Sequence, residues 1–179
     1  MDYKFAIRCW QDQAGDENAK ANVFVDGVQV ATEVAVTATS ADSPQIIAWE
    51  STGLTAPAAG TSFDIKVVMT NEYYVDADTD RNINIDGVGY ITKDTDNNYK
   101  KKDLVVDADN PGGHLVTSTI TDFDDYANYV YETPTAVTGD QTDANWWANR
   151  GNTDFETIVV WGGDANGMTM TMGITENSF

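Results

Sequence analysis

Apolar and polar residues alternate with a period of two along most of the chain, a pattern typical of strands with one buried face. β-Branched residues dominate, with 22 Thr and 17 Val against 3 Leu, and no segment carries an apolar stripe at helical spacing. The pattern predicts strands at residues 4–10, 21–25, 28–38, 45–49, 63–70, 82–88, 90–92, 104–106, 114–120, 127–131, 157–161 and 168–174. Short connections between most of them predict an all-β, antiparallel β-sandwich of the jelly-roll-like kind.

The length of 179 residues corresponds to one domain, so we expect a single β-sandwich spanning 1–179. Two stretches, at about 93–103 and 132–152, are expected to be exposed insertions with little core potential. The first holds four of the seven lysines, and the second holds Trp146 and Trp147 in a polar context. Turns are predicted at Asp26-Gly27, Asp86-Gly87, Asn110-Pro111-Gly112-Gly113 and Asn166-Gly167.

The net charge of −19 argues against nucleic-acid binding and against binding to acidic lipid surfaces, because both need Lys and Arg. Divalent cations remain plausible partners. No apolar run approaches the roughly 20 residues of a membrane span, and the first residues do not read as a signal peptide. Synthesis in the cytoplasm, with assembly into a virion or an extracellular particle, is compatible with this pattern.

A dense run of acids lies between two predicted strands, with five carboxylates from Glu72 to Asp86. Such groups repel one another unless a cation neutralises them, and Asp-x-Asp-x-Asp spacing suits Ca²⁺. The run differs from an EF-hand, because Arg81 stands where that loop needs glycine and Gly87 where it needs a carboxylate. The predicted metal ligands are Glu72, Asp76, Asp78 and Asp80. The alternative is an acidic hairpin loop that only faces solvent.

Several segments carry a family resemblance. They are Thr70-Asn71-Glu72-Tyr73-Tyr74 after an apolar strand, Asp80-Arg81-Asn82-Ile83-Asn84-Ile85-Asp86, Val23-Phe24-Val25-Asp26-Gly27 and Trp161-Gly162-Gly163 before Met168-Thr169-Met170. Taken in their order along the chain, they resemble calcium-dependent carbohydrate-binding modules of the xylan-binding families 36 and 60. Those modules show Thr-Asn-Asp-x-Tyr, a short loop and Asp-Arg-Asn-Leu-x-Val-Asp. The resemblance spans about residues 4–174, and its central motif is the more specific part.

The resemblance implies a jelly-roll sandwich in which one Ca²⁺, held by loop carboxylates and carbonyls, is completed by sugar hydroxyls. Glu72 and Asp80 match its acids, and Arg81 with Asn82 matches the pair that braces the loop. The implied ligand-binding residues are Tyr73, Arg81, Asn82 and Trp161, to which the polar-loop tryptophans Trp146 and Trp147 are added. The chain departs from the family in having Glu72 for Asp, a longer loop whose extra acids could saturate the ion, and larger insertions.

We expect no catalytic activity, because His114 is the sole histidine and Cys9 is predicted to be buried on the first strand. The resemblance favours a non-catalytic, lectin-like protein that binds glycan or polysaccharide through Ca²⁺. An alternative is a structural surface protein, such as a virion capsid decoration or fibre component, with other surface proteins as partners. A small glycan-active enzyme is the third reading. An oligomer is compatible with each of them.

Overall fold

The computed structural model describes residues 3–51, 62–94, 96–132, 134–139, 157–161 and 167–173. In chain order the strands are β1 (Tyr3–Asp12), β2 (Ala19–Val25), β3 (Val28–Val36), β4 (Gln45–Ser51), β5 (Ser62–Met69), β6 (Tyr74–Asp76), β7 (Thr79–Asp80), β8 (Asn82–Lys93), β9 (Tyr99–Val105), β10 (His114–Thr119), β11 (Val130–Glu132), β12 (Ala136–Gly139), β13 (Ile158–Trp161) and β14 (Met168–Gly173). A 3₁₀ turn, Tyr126–Asn128, precedes β11. No helix among these residues is long and apolar enough to span a membrane.

The strands form two antiparallel sheets and a small hairpin, which confirms the predicted β-sandwich. One sheet has the order β10-β9-β8-β1-β4, and β11 and β13 also pair with β8. The other has the order β12-β14-β5-β2-β3, and β6 pairs with β7 alone. The chain passes repeatedly from one sheet to the other, so loops from both layers meet at each end of the sandwich. That arrangement brings the β1–β2 connection beside the β5–β8 connection.

The main core lies between the two sheets, where the alternating apolar residues of β1, β2, β5, β8 and β14 interdigitate. Aromatic rings dominate one part of it: the ring centroids of Phe5 and Phe63 lie 4.8 Å apart, and those of Phe63 and Tyr90 lie 6.2 Å apart, edge to face. Each fully buried side chain of this size contributes about 1.5–3 kcal/mol. This rigid core holds the loops at the ends of the sandwich.

A smaller cluster covers the outer face of the larger sheet. Its buried members are Ala6, Ile91, Tyr99, Ile120 and Tyr129. The Tyr129 hydroxyl donates to the Phe123 carbonyl at 2.9 Å, which ties the 121–129 segment over the sheet. Lys93 ends β8 and residues 99–103 belong to β9, so the expectation that 93–103 is a loop is wrong for these residues. The side chains of β9 beyond Tyr99 are partly or fully exposed on both faces, and only its end, at 104 and 105, falls in a predicted strand.

Three further predictions need correction. Asp86-Gly87 is not a turn, because β8 runs through it, and the register with β1 shifts there as a β-bulge. The predicted strand 127–131 begins too early, because residues 127 and 128 belong to the 3₁₀ turn and β11 begins at Val130. The stretch 132–152 contains β12, which pairs with β14, so it is not all loop. From residue 140 onward that stretch lies outside the described residues, and Trp146 and Trp147 lie there with it.

Candidate functional site

The candidate site is the connection from β5 to β8, residues 70–81, at one end of the sandwich. The short strands β6 and β7 make it a hairpin, in which Tyr74 lies opposite Asp80. The Arg81 amide donates to the Tyr73 carbonyl at 2.9 Å and closes the base of this hairpin. The predicted metal ligands and two of the predicted ligand-binding residues, Tyr73 and Arg81, therefore belong to one compact element, and a third, Asn82, begins β8 directly after it.

Arg81 anchors the hairpin to the rest of the protein. Its side chain is 4% exposed, and its guanidinium donates to the Ala14 carbonyl from Nε at 3.1 Å and from Nη2 at 2.6 Å. Nη1 donates to the Asn71 carbonyl at 2.6 Å. Hydrogen bonds from a charged donor are stronger than neutral ones, so one side chain ties the β1–β2 connection to the start of the hairpin. The predicted ligand residue Arg81 thus directs its guanidinium at the backbone of the loops.

The side-chain amides of Asn71, Asn18 and Gln11 extend this anchoring through further hydrogen bonds. The Asn71 Oδ1 accepts from the Lys20 amide at 2.7 Å, and its Nδ2 donates to the Asn18 carbonyl at 2.8 Å. Gln11 is buried at the end of β1, donates to Asn18 Oδ1 at 2.8 Å and accepts from the Ala19 amide at 2.7 Å. Sequence reasoning missed Gln11 and Asn18, since single amides in a polar loop carry no recognisable spacing. These bonds hold the site at a defined position against the sandwich.

No three carboxylates of the described hairpin converge on one point. Glu72, Asp76 and Asp78 are exposed, and Asp80 is partly buried. Asp76 Oδ1 accepts from the Asp78 amide at 3.1 Å, which is a local turn contact. Across the ranges that the structure describes, no three His, Cys, Asp or Glu side chains lie close enough to hold a metal ion. The fifth acid of the run, Asp86, is bound elsewhere, because both of its oxygens accept from Arg8, at 2.7 and 2.8 Å.

One pair of side chains does present oxygens suited to a hard cation. Asn82 Nδ2 donates to Asp80 Oδ2 at 3.2 Å, so the two side chains lie together where the hairpin enters β8. The Asn82 Oδ1 atom is buried and has no hydrogen-bond partner among the described residues. An unsatisfied buried oxygen costs about 1–3 kcal/mol. Carboxylate and amide oxygens are the ligands that Ca²⁺ takes, so this pair fits an ion better than the acidic run as a whole does.

Aromatic surface lies on the same hairpin. Tyr73 is 41% exposed and Tyr74 is 62% exposed. The Tyr73 ring lies over Arg81, with 5.5 Å from Cζ to the ring centroid, and against Gly15. Gly15 has φ +69°, and a Cβ there would lie 3.2 Å from the Tyr73 ring. Tyr73 is therefore positioned by packing, while Tyr74 projects toward solvent.

The other predicted ligand residues lie elsewhere. Trp161 ends β13 and pairs through its backbone with Asn82 on β8, which places it at the same end of the sandwich. The Trp161 side chain, like Trp146 and Trp147, lies outside what the structure describes. Burial and the nearby charge of Asp86 raise the pKa of the Cys9 thiol to about 12, so it stays protonated and weakly nucleophilic at neutral pH. His114 Nδ1 lies 3.7 Å from Asp107 Oδ2 on a distant, half-exposed hairpin.

Comparison with known proteins adds little to this picture. No protein-family model matches the sequence, and no curated protein sequence matches it. A solved structure described as "vCBM60 in complex with galactobiose" aligns with 95% of this chain and 97% of its own, at 12% identity and a TM-score of 0.37. A likeness at that score carries no argument, so the fold assignment rests on the strand pairing described above.

Proposed function

We propose that this chain is a non-catalytic, calcium-dependent carbohydrate-binding protein whose site is the 70–82 hairpin. The observation that carries the proposal is the partnerless buried Oδ1 of Asn82 beside the Asp80 carboxylate. Both groups lie at the base of a hairpin that also exposes two tyrosine rings. The motif that resembles the xylan-binding modules covers the same residues.

The ion would be held by Asp80 and Asn82, with Glu72, Asp76 or Asp78 as further oxygen donors of the hairpin. Three exposed carboxylates on one short hairpin repel each other, so a cation nearby relieves that repulsion. When bound, Ca²⁺ supplies open coordination positions that vicinal sugar hydroxyls can fill. Arg81 does not contact the sugar in this account; it keeps the hairpin base from moving when the ion enters or leaves.

Tyr73 and Tyr74 would supply the second contact with the sugar. Aromatic rings offer a large, rigid apolar surface with a polar edge, and such surface packs against the apolar face of a pyranose ring. Tyr73 is held by Arg81 and Gly15, so its ring loses little conformational freedom on binding. The site would thus combine a cation with an exposed aromatic surface.

We infer a non-catalytic role because neither the sole histidine nor the sole cysteine belongs to the 70–82 hairpin. The carboxylates of the hairpin are assigned to the cation and not to acid–base chemistry. The Cys9 thiol is buried on β1, and its raised pKa keeps it neutral. His114 belongs to the β9–β10 hairpin.

A polysaccharide panel measured with Ca²⁺ and again with EDTA tests the proposal. We expect binding to a polysaccharide with vicinal equatorial hydroxyls in Ca²⁺, and loss of binding in EDTA and in Asp80→Asn. The matched control is Asp96→Asn, an exposed acid in the β8–β9 connection beyond the other end of β8, which should bind like the wild type. Binding that persists undiminished in EDTA would defeat the calcium mechanism. Failure to bind any polysaccharide with or without Ca²⁺ would favour the structural-surface alternative.

A further inference from the structure

Asp12, the last residue of β1, lies directly opposite Asn82, the first residue of β8, in the antiparallel ladder. On the same two strands, Cys9 and Ile83 belong to the main core between the sheets. Side chains alternate between the two faces of a strand, so Asp12 and Asn82 both lie on the outer face of the larger sheet. Residues directly opposite each other have Cβ atoms about 4.5–5.5 Å apart, which places the Asp12 carboxylate within reach of the Asn82 amide group.

The Asn82 side chain therefore has two carboxylates beside it. Its Nδ2 donates to Asp80 Oδ2 at 3.2 Å, whereas its buried Oδ1 has no partner among the described residues. Neither Asp12 nor Asp80 forms an ion pair within the ranges that the structure describes. The adjacent cationic side chain does not neutralise them, because the guanidinium of Arg81 donates to carbonyls of the neighbouring loops. A bound cation would offset the repulsion between these oxygen atoms.

The burial of Asn82 Oδ1 suits a cation. An oxygen atom binds Ca²⁺ at about 2.3–2.6 Å, which is shorter than the usual distance of about 2.7–2.8 Å for a hydrogen bond from a hydroxyl group or water. An ion therefore fits a gap too narrow for a water molecule. Asn84, the next outward-facing residue of β8, is 7% exposed, and its Nδ2 also has no partner in the described chain. An oxygen atom bound to the ion, from water or from a sugar hydroxyl, would accept a hydrogen bond from that amide.

We propose that Asp12 is a ligand of the cation that Asp80 and Asn82 hold. The inference rests on the calcium site of the proposed function and extends that site to a strand outside the hairpin. Two carboxylates and one amide oxygen then hold the ion from β1, β7 and β8. This set is compatible with the finding that no three His, Cys, Asp or Glu side chains of the described residues come together. Because Ca²⁺ takes 6–8 oxygen ligands, positions remain on the outer face of the sheet for the hydroxyl groups of a bound sugar.

Calorimetric titration of Ca²⁺ into the full chain tests the assignment. We expect Asp12→Asn to weaken calcium binding at least about tenfold, because it replaces a carboxylate ligand by a neutral amide of the same size. Asp12→Glu keeps the charge and should retain more affinity than Asp12→Asn. The matched control is Asp96→Asn, which removes the same charge from the β8–β9 connection and should bind Ca²⁺ like the wild type.

Urea unfolding separates a ligand from a residue with a structural role. In calcium-free buffer, Asp12→Asn should be at least as stable as the wild type, because the substitution removes the repulsion between Asp12 and Asp80. In saturating Ca²⁺ the order should reverse, because the ion then stabilises the wild type more strongly than the variant. An Asp12→Asn variant that is less stable than the wild type by the same amount in both buffers has lost a structural contact, and that result overturns the inference.

The inference and the proposed function fail in different ways. Wild-type affinity for Ca²⁺ in Asp12→Asn, together with loss of binding in Asp80→Asn, overturns the role of Asp12 and leaves the calcium site in place. A wild type that binds no Ca²⁺ overturns both. Calcium binding that depends on Asp12, in a protein that binds no polysaccharide, supports the inference and refutes the carbohydrate-binding function.

Discussion

Replacing Arg81 by methionine should destabilise the protein more than any other single charge removal at this end of the sandwich. The guanidinium satisfies two carbonyl oxygens, those of Ala14 and Asn71, through three hydrogen bonds of 2.6–3.1 Å. Each acceptor bonded to a charged donor contributes about 1.5–3 kcal/mol, which gives about 3–6 kcal/mol for the pair. Water reaches a loop at the sandwich end once the guanidinium is gone, so we expect a loss near the lower limit, about 3 kcal/mol.

Urea unfolding in calcium-free buffer measures this loss as a shift of the midpoint at constant slope. Lys20→Met is the matched control, since Lys20 belongs to a part-exposed ion pair with Glu17 at 3.7 Å and should cost no more than about 0.5 kcal/mol. Arg81→Lys should recover part of the loss, because an ammonium can still donate to one of the two carbonyls. The reasoning would be refuted by an Arg81→Met variant within about 1 kcal/mol of wild type.

Further predictions concern one glycine and one thiol. Gly15→Ala should cost about 1–2 kcal/mol, because φ is +69° and the new Cβ would lie 3.1 Å from Arg81 Nη2; Gly112→Ala, with open space around it, is the control in the same unfolding assay. The pKa of the Cys9 thiol is raised from 9.0 to about 12 in the folded state, so the free energy of unfolding should fall as the pH rises through that interval. Cys9→Ala should flatten this alkaline dependence, and a dependence identical to that of the wild type would contradict the assignment.

Alternation predicts the strands that have one face in the core, and it misses the lysine-rich part of β9. β2 and β5 were recognisable because every second residue is apolar and buried, as in Ala21, Val23 and Val25. Residues 99–103 of β9 were not, because three consecutive lysines put a charged side chain on both faces, whereas residues 104 and 105 fall in a predicted strand. Asp86-Gly87 has the composition of a turn, but a bulge uses the same residues, and Arg8 pairing with Asp86 favours the bulge.

The sequence predicts which segment forms the site, but it does not predict how the side chains of that segment are arranged. Acid density located the hairpin, but carboxylates on a short hairpin project in different directions, and density does not show which of them meet. The contact between Asp80 and Asn82 depends on how the chain turns at Arg81 into β8. The burial of Arg81 could not be predicted from the sequence, because its acceptor is the carbonyl of Ala14, 67 residues earlier in the chain.

Direct titration of Ca²⁺ by calorimetry, with no sugar present, tests the central claim most directly. The account predicts one site in the wild type and in Asp96→Asn, and loss of binding in Asp80→Asn and Asn82→Ala, which remove the two oxygens that carry the assignment. Because Ca²⁺ would bind only the native state, it should also raise the free energy of unfolding by about 2.7 kcal/mol when its free concentration is a hundred times the dissociation constant. No heat of binding at millimolar Ca²⁺, or equal binding by Asp80→Asn and Asp96→Asn, would contradict it.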